Sequence, residues 1–354
     1  MTQVNWEKAV ALARQLQVDM GGALIMALCY LGDRLGVFQA LADGRPLTVR
    51  ELAERTGLQE RYLLEWASAL AAAGYLDYDP LTATFRISPE QALVLLDESS
   101  PLYLAGTYIY AIACIRQLPA LMEAFQKGGG VPFAQFGPEI VEGIEKMFRP
   151  GYERSVVQSW LAAVPDVEER LRQGGLAAEV GCGAGQALVP VAKAFPNSRF
   201  VGYDIDAYSI QRARARAREE GLEERLHFEQ TPAQAMPADG RYDLVMAFNC
   251  IHDMADPKGA LAAIRRSLKP TGAFLWSEAK ASDRLEENAT PMGRLLYAAS
   301  CMHCLTVSLA GGGLGLGTVV GPEKARELAL EAGFSSFQVL PVEHPFHRLF
   351  LLRP

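Results

Sequence analysis

Positive charge and long apolar runs are both scarce in this chain of 354 residues. Its 34 lysines and arginines are outnumbered by 41 acidic residues, so binding to a polyanion would gain little from counterion release. The longest apolar run, residues 20–32, is shorter than the roughly 20 residues that span a bilayer. We therefore expect neither nucleic acid nor a membrane as a partner.

Cysteine is also sparse and scattered, with six residues spread over the chain. This distribution indicates reduced thiols rather than the disulfide framework of a small secreted protein. The N-terminal residues, MTQVNWEKAV, do not resemble a secretory signal because they are charged and have no apolar core. These features predict a cytoplasmic protein. The length predicts two or three domains, which we place at residues 1–100, 101–165 and 166–354.

Residues 1–100 are predicted to be helical and to include a winged helix. Thr48 begins one helix as its N-cap, and Glu51 completes a capping box three residues later. A second helix is predicted over residues 59–73, followed by two short strands around an Asp-Pro turn. Winged helices commonly bind DNA, but acidic residues outnumber basic ones here, and the second helix has one arginine and two glutamates. We therefore expect a role in dimerisation or in covering a substrate.

Residues 101–165 are predicted to be helical and are rich in aromatic side chains. Two interpretations remain open at this stage: packing between domains, or the wall of a pocket for an apolar ligand. The aromatic residues are Tyr103, Tyr108, Tyr110, Phe125, Phe133, Phe136, Phe148, Tyr152 and Trp160.

From residue 166 onward, short apolar runs alternate with helical patterns, which predicts a doubly wound α/β domain. The last two predicted strands are joined by the stretch 343–345, which is too short for a helical crossover, so they must pair as an antiparallel hairpin. The seven predicted strands cover residues 176–181, 199–204, 226–230, 242–248, 272–278, 337–342 and 347–354.

The first of these strands runs into a glycine-rich turn, AAEVGCGAGQ at residues 177–186. Its glycines allow the backbone to approach a ligand closely. A dinucleotide-binding turn would have a further glycine at the position of Gln186. The second strand ends at Asp204, whose carboxylate can accept hydrogens from both hydroxyls of a ribose. The pattern indicates an adenosine-type site for a cofactor without a pyrophosphate.

A second cluster of polar residues follows the fourth and fifth strands. The segment MAFNCIHDMADP places His252 and Asp253 just after the fourth strand, and Glu278 ends the fifth. The carboxyl ends of neighbouring parallel strands meet at one edge of a sheet, where ligands bind. A histidine beside a carboxylate is a general base with an orienting partner. We therefore predict an acid–base site near the cofactor.

The glycine turn, the acid after the second strand and the final hairpin resemble the class I S-adenosylmethionine-dependent methyltransferases. With the winged helix and the helical middle segment, the chain is similar to the plant-type small-molecule O-methyltransferases. It is also similar, over nearly its whole length, to a bacterial family that includes uncharacterised mycobacterial methyltransferase-like proteins. The resemblance implies a Rossmann-like seven-stranded methyltransferase sheet with an antiparallel final hairpin, preceded by an α-helical winged-helix dimerisation domain.

The resemblance also implies roles for individual residues. His252, in His-Asp-Met where the plant family has His-Asp-Trp, matches the catalytic histidine, and Glu278 matches the acid that orients it. Two departures affect the adenine side: no acid follows the third strand, and Phe248 replaces a family lysine. The expected cofactor-binding residues are Glu179, Gly181, Cys182, Gly183, Gly185, Asp204, Ile205, Thr231, Pro232 and Asn249.

The sequence therefore predicts a homodimeric S-adenosylmethionine-dependent methyltransferase that acts on a hydroxyl of a small apolar or aromatic molecule. Transfer to carbon or nitrogen remains an alternative, as does a regulator that senses S-adenosylmethionine and binds DNA. Cys301, His303 and Cys304 form a CMHC segment, but zinc would need a matching pair elsewhere, so we expect no metal site. The glycine-rich segment 310–321 is expected to be flexible and to gate the pocket.

Overall fold

The protein is described by a computed structural model that covers residues 4–354. It divides into two compact units, one that ends at Ile112 and one that runs from Ala113 to Pro354. The domain boundaries expected near residues 100 and 165 stay a prediction. None of the helices within residues 4–354 is long and apolar enough to cross a membrane.

The first unit contains the predicted winged helix. Its three short strands are β1 (Leu47–Thr48), β2 (Asp77–Asp79) and β3 (Thr84–Arg86), and they form an antiparallel sheet in the order β1-β3-β2. The predicted capping box is confirmed, because Thr48 Oγ1 accepts from the Glu51 amide and Glu51 Oε2 accepts from the Thr48 amide. The elements are α1 (Trp6–Arg34), α2 (Val37–Ala40), β1 (Leu47–Thr48), α3 (Val49–Thr56), α4 (Glu60–Ala72), β2 (Asp77–Asp79), β3 (Thr84–Arg86) and α5 (Pro89–Leu95), followed by α6 (Ala105–Ile115) at the division between the units.

The core of this unit forms around Trp66 of α4. Its indole N–H donates to the Leu28 carbonyl of α1 at 2.8 Å, and its ring lies edge-on to Phe38. A Cβ on Gly32 would lie 2.5 Å from the indole ring, so this position of α1 needs a glycine. The buried apolar face of α4 therefore holds the C-terminal half of α1 in place.

The second unit begins with a helical segment. After α6 come α7 (Leu118–Lys127), a short 3₁₀ turn (Phe133–Phe136) and α8 (Pro138–Ser155). A π-helical turn (Val156–Leu161) continues α8 and leads to α9 (Pro165–Gln173).

A seven-stranded sheet with helices between its strands forms the rest of this unit, as predicted. Its strands are β4 (Leu176–Val180), β5 (Arg199–Asp204), β6 (Leu226–Gln230), β7 (Tyr242–Phe248), β8 (Leu268–Ala279), β9 (Ser336–Val339) and β10 (His347–Arg353). Its helices are α10 (Leu188–Ala194), α11 (Ala207–Glu219), α12 (Pro257–Ser267), α13 (Pro291–Ala299), α14 (Leu305–Ala310) and α15 (Pro322–Glu331), with a π-helical turn (Ser300–Cys304) between α13 and α14.

The strand order β6-β5-β4-β7-β8-β10-β9 confirms the predicted fold class. All neighbouring strands are parallel except that β10 pairs antiparallel with both β8 and β9. The chain winds outward from β4 to β6 on one side and from β7 on the other, so the order reverses between β4 and β7. In such sheets the ligand crevice opens at the carboxyl ends of the strands where the order reverses.

Candidate active site

A cavity of about 430 Å³ opens at this reversal point of the sheet. The loops that follow β4, β5, β6 and β7 contribute one side of its lining, and α8 and α14 contribute the other. Of the ten cofactor-binding residues expected from the sequence, nine line this cavity: Glu179, Gly181, Cys182, Gly183, Asp204, Ile205, Thr231, Pro232 and Asn249.

The tenth, Gly185, does not line the cavity. Its φ of +77° lies in the left-handed region, and a Cβ there would be 2.9 Å from the ring of Phe228 on β6. The positive φ and the packing against Phe228 therefore require a glycine at this position. Gly185 is not among the residues placed to contact a ligand in the cavity.

Asp204 connects the glycine turn to the end of β5. Its Oδ2 accepts from the Gly183 amide and its Oδ1 from the Asp206 amide, both at 2.9 Å. Each carboxylate oxygen has two lone pairs, so both can still accept a hydroxyl hydrogen from the cavity. Burial raises the pKa of this carboxyl above its ordinary value, although its backbone hydrogen bonds oppose the shift.

Two buried acceptors at this edge have no hydrogen-bond partner within the described chain. They are Oε2 of Glu179 and Oε1 of Gln186, and both residues line the cavity. Burial, followed by the charge of Asp204, raises the pKa of the Glu179 carboxyl well above its ordinary value. A ligand with N–H or O–H donors would satisfy these atoms, which otherwise cost free energy. The sequence pattern does not identify Gln186 as a site residue, because it stands where a dinucleotide-binding turn would have a glycine.

The adenine side of the expected site follows β6. The Thr231 amide donates to the Asp204 carbonyl at 2.9 Å, which holds this loop against the end of β5. Thr231, Pro232, Ala233 and Gln234 all line the cavity. The Gln234 side chain donates to the Asp256 carbonyl at 3.1 Å. Ala233 and Gln234 were not anticipated, since nothing in their spacing distinguishes them from an ordinary turn.

Asn249 follows β7 in a strained conformation, with a φ of +51°. Its backbone N–H donates to the Ser277 carbonyl at 2.8 Å. Its side-chain nitrogen, Nδ2, donates to Tyr152 Oη at 2.9 Å and to His347 Nδ1 at 3.2 Å. Burial lowers the pKa of His347 well below its ordinary value, so the imidazole is neutral and can accept through Nδ1. Strain of this kind is characteristic of functional sites.

His252 and Glu278 are brought together as the sequence predicted. Nδ1 of His252 donates to Oε2 of Glu278, and the indole N–H of Trp276 donates to Oε1 of the same carboxylate at 2.8 Å. Both side chains are buried. Burial alone would lower the pKa of His252, but the negative charge of Glu278 and the thiol of Cys304 outweigh it and raise that pKa well above its ordinary value.

His252 does not line the cavity. Its neighbours in the chain, Asp253 and Met254, do line it. Its ring also interacts with the thiol of Cys304, from the π-helical turn before α14. The positive charge of the imidazole lowers the pKa of this thiol despite its burial. The sequence pattern did not connect Cys304 with His252, because the two residues are distant in the chain.

Apolar side chains form much of the rest of the cavity lining. Among the aromatic residues of the middle segment, Phe133, Phe148 and Tyr152 line the cavity, whereas Trp160 packs beneath it against Phe248. The pocket-wall interpretation therefore agrees with the positions of Phe133, Phe148 and Tyr152, whereas packing between domains stays a prediction. Further apolar lining residues are Val141, Ile144, Met254, Val307 and Ala310.

The beginning of the glycine-rich segment 310–321 also lies at the cavity. Gly311 lines it, and a Cβ on Gly313 would be 2.6 Å from the backbone of Ala255. Ser308 Oγ donates to the Met254 carbonyl and accepts from the Gly315 amide. These contacts tie the segment to the loop after β7, and a gating role for it stays a prediction.

Two families match parts of the chain. Residues 175–333 match the family described as a methyltransferase domain, and residues 23–96 match the Rv2258c-like winged HTH domain. Among curated proteins, a sterol 24-C-methyltransferase of Gibberella zeae is 33% identical over 29% of this chain and 27% of its own length. A ubiquinone biosynthesis O-methyltransferase of Cereibacter sphaeroides is 32% identical over 28% of this chain and 39% of its own. The matched part of this chain covers well under two thirds of the length of each of these relatives.

Among solved structures, human N-acetylserotonin methyltransferase in complex with SAM superposes with a TM-score of 0.70. The superposition covers 99% of this chain and 98% of the human one, at 18% identity. At that identity the likeness establishes a shared fold, including the winged-helix and helical segments outside the sheet domain.

Proposed function

We propose an activity for this chain on the basis of its two matched domains, an Rv2258c-like winged HTH domain followed by a methyltransferase domain. The protein transfers the methyl group of S-adenosylmethionine to a hydroxyl of a small apolar or aromatic molecule. The observation that carries the proposal is that one cavity holds an adenosine-type edge, formed by the glycine turn and Asp204, opposite a wall of apolar side chains. A polar cofactor and an apolar acceptor fit its two sides.

S-adenosylmethionine fits the polar side. The two ribose hydroxyls match the free lone pairs of Asp204, and the ammonium group matches the unpartnered acceptors of Glu179 and Gln186. Thr231 and Pro232 would border the adenine. When bound, the cofactor supplies a methyl group activated by a positively charged sulfur. The protein supplies the position of the acceptor and a place for its proton.

His252 is the proposed base, and it acts from its neutral form, although its raised pKa favours the protonated imidazole in the absence of substrate. A neutral hydroxyl is a weak nucleophile, and proton removal by a positioned base contributes about 10²–10⁴-fold to a rate. Once the imidazole holds the proton, the carboxylate of Glu278 stabilises its positive charge, and Trp276 fixes that carboxylate. His252 itself does not line the cavity, but its neighbours Asp253 and Met254 do, so the acceptor would approach it past these two residues. Catalytic hydrogen bonds often tighten only when the substrate is bound.

A second candidate is transfer to a carbon acceptor that needs no base. The observation that favours it is that the His252 side chain is only 3% exposed and does not line the cavity. The two candidates differ in which atom carries the new methyl group and in whether His252 is required.

The test uses S-adenosylmethionine labelled with ¹³C in the methyl group and a panel of phenols, catechols and aliphatic alcohols. The ¹³C shift of the product tells an O-methyl from a C-methyl or N-methyl group. His252→Ala is compared with His227→Ala, a matched substitution of an exposed histidine on β6. An O-methyl product made by wild type and His227→Ala, and nearly lost in His252→Ala, supports the proposal. A C-methyl product that His252→Ala still makes contradicts it in favour of the second candidate.

A homodimer through α1 is part of the proposal. Leu12 and Leu16 lie four residues apart on one side of this helix and are 70% and 68% exposed. Such an exposed apolar strip marks an interaction surface. Sedimentation velocity should show a dimer that Leu16→Glu dissociates and that Arg14→Glu, on the opposite side of α1, does not. A monomeric wild type contradicts the proposed homodimer.

A cytoplasmic location is also part of the proposal, and it agrees with the six free cysteines.

A further inference from the structure

Three side chains that can bind a metal ion meet beside the proposed active site. His252 and Asp253 follow β7, and Cys304 ends the π-helical turn before α14. One nitrogen, oxygen or sulfur atom from each residue lies within 4.8 Å of the other two. His252 and Cys304 are buried, whereas Asp253 is partly exposed and lines the cavity. An ion from solvent can therefore reach the group from the cavity side.

The donor set selects the class of metal. Magnesium and calcium prefer oxygen ligands, whereas a thiolate and an imidazole suit zinc and similar transition metals. Three protein ligands with one open position is the arrangement of zinc sites that also bind water or a substrate. In the sequence, Cys304 belongs to the CMHC segment with Cys301 and His303, and its thiol lies 3.6 Å from Nδ1 of His303. The two side chains that complete the three-ligand group, His252 and Asp253, lie about fifty positions earlier in the chain.

The surroundings of His252 match those of a metal-binding histidine. A ligating imidazole almost always donates its other ring N–H to a carboxylate or carbonyl, which fixes its orientation. Here Nδ1 donates to Glu278, which Trp276 holds in turn, so Nε2 is the nitrogen left for a metal. This support is independent of the three ligands themselves.

The charges also balance. A thiolate from Cys304 and a carboxylate from Asp253 carry two negative charges, and a neutral His252 adds none. Together they neutralise a divalent cation. On binding, any protons on the Cys304 thiol, the Asp253 carboxyl and the ligating imidazole nitrogen are released to solvent, because the ligands must be deprotonated.

We propose that His252, Asp253 and Cys304 bind one Zn²⁺ ion or a similar divalent transition-metal ion. The bound ion occupies the ring nitrogen that a catalytic base would use, so zinc inhibits methyl transfer reversibly. This consequence rests on the proposed function, whereas the metal site does not.

The test is a titration of the reduced, chelator-treated full chain with Co²⁺, followed by absorption spectroscopy. The expected result is one Co²⁺ per chain with a thiolate-to-cobalt charge-transfer band, which one equivalent of Zn²⁺ removes. Cys304→Ser should lose the band. Glu278→Gln should weaken Co²⁺ binding about 10–100-fold, because it alters the hydrogen bond that orients His252. Cys301→Ser, three residues earlier on the same turn, is the matched control and should keep the band.

Circular dichroism establishes that each variant is folded. If Cys304→Ser does not fold, Asp253→Asn serves instead, with a weakened and shifted spectrum as the expected result. The proposal is overturned if wild type shows no charge-transfer band, or if folded Cys304→Ser or Asp253→Asn binds Co²⁺ as wild type does. Methyl transfer by the metal-free protein is measured separately, so its absence would overturn the proposed function and leave the metal result unchanged.

Discussion

Nδ1 of His252 donates to Oε2 of Glu278, although the two residues stand 26 positions apart and belong to different strand ends. The contact follows from the sheet: β7 and β8 are parallel neighbours, with Phe248 opposite Ser277, so their carboxyl ends lie side by side. Trp276 Nε1 then holds the second carboxylate oxygen. A buried ionisable pair of this kind beside a cavity is a candidate site for chemistry.

Replacing Glu278 by glutamine should lower kcat for methyl transfer while KM for the acceptor changes little. The amide has nearly the same shape but cannot stabilise a protonated His252. We expect a loss of about 10–100-fold, which corresponds to the 1.5–3 kcal/mol of a hydrogen bond to a charged group. Trp276→Phe removes the N–H donor to Oε1 together with part of a fully buried ring, but it leaves the Glu278 carboxylate in place, so its effect on kcat should be smaller. Equal kcat in Glu278→Gln and wild type would remove Glu278 from the mechanism.

Asp204→Asn should weaken the binding of S-adenosylmethionine about 10–100-fold, measured by calorimetry. The amide retains one acceptor oxygen and loses the charge that strengthens hydrogen bonds to the ribose hydroxyls. Glu229→Gln, an exposed change of the same kind on β6, should leave the affinity unchanged. An unaltered affinity in Asp204→Asn would show that the cofactor does not bind at this edge.

Binding of S-adenosylmethionine should release a proton from Glu179. Burial and the charge of Asp204 raise the pKa of the Glu179 carboxyl, so the cofactor-free protein favours the protonated form. An ammonium group beside it favours the carboxylate. Affinity should therefore fall as the pH is lowered through the raised pKa and should level off above it.

Calorimetry in two buffers with different ionisation enthalpies measures this proton directly. The heat of binding should depend on the buffer in wild type and much less so in Glu179→Gln, which has no proton to release. A heat that is independent of the buffer in wild type would mean that Glu179 does not change its charge on binding.

Gly185→Ala should destabilise the protein more than Gly221→Ala. Both glycines have a φ near +70°, where an L residue costs roughly 1–2 kcal/mol. A Cβ at position 185 would also lie 2.9 Å from Phe228, whereas nothing lies within 4 Å at position 221. Overpacking adds about 1–3 kcal/mol. The difference in unfolding free energy in urea isolates this contact, and equal values for the two variants would contradict it.

The sheet was predictable from sequence because each strand is a short apolar run with a clear start and end. The predicted bounds of β5, β6 and β7 agree with the structure to the residue. The position of Asp204 and the final hairpin followed from strand order and loop length alone. β8 is longer than predicted because Leu268 begins the strand before the Lys-Pro-Thr-Gly stretch.

The less predictable parts of the site depend on contacts between distant residues. Asn249, Tyr152 and His347 meet across almost one hundred positions of the chain, and no local pattern relates them. Gln186 joins the cavity because its side chain turns back toward Gly183. Cys304 reaches His252 through the packing of the turn before α14 against the loop after β7. Spacing rules describe single elements, so such contacts emerge only from the tertiary structure.

The central claim is that His252 accepts the proton of the acceptor hydroxyl. The most direct test is the initial rate of methyl transfer by metal-free His252→Ala at saturating S-adenosylmethionine, with the acceptor that wild type methylates fastest. We expect the rate to fall about 10²–10⁴-fold while the affinity for S-adenosylmethionine is unchanged. A rate in His252→Ala equal to that of wild type would contradict it.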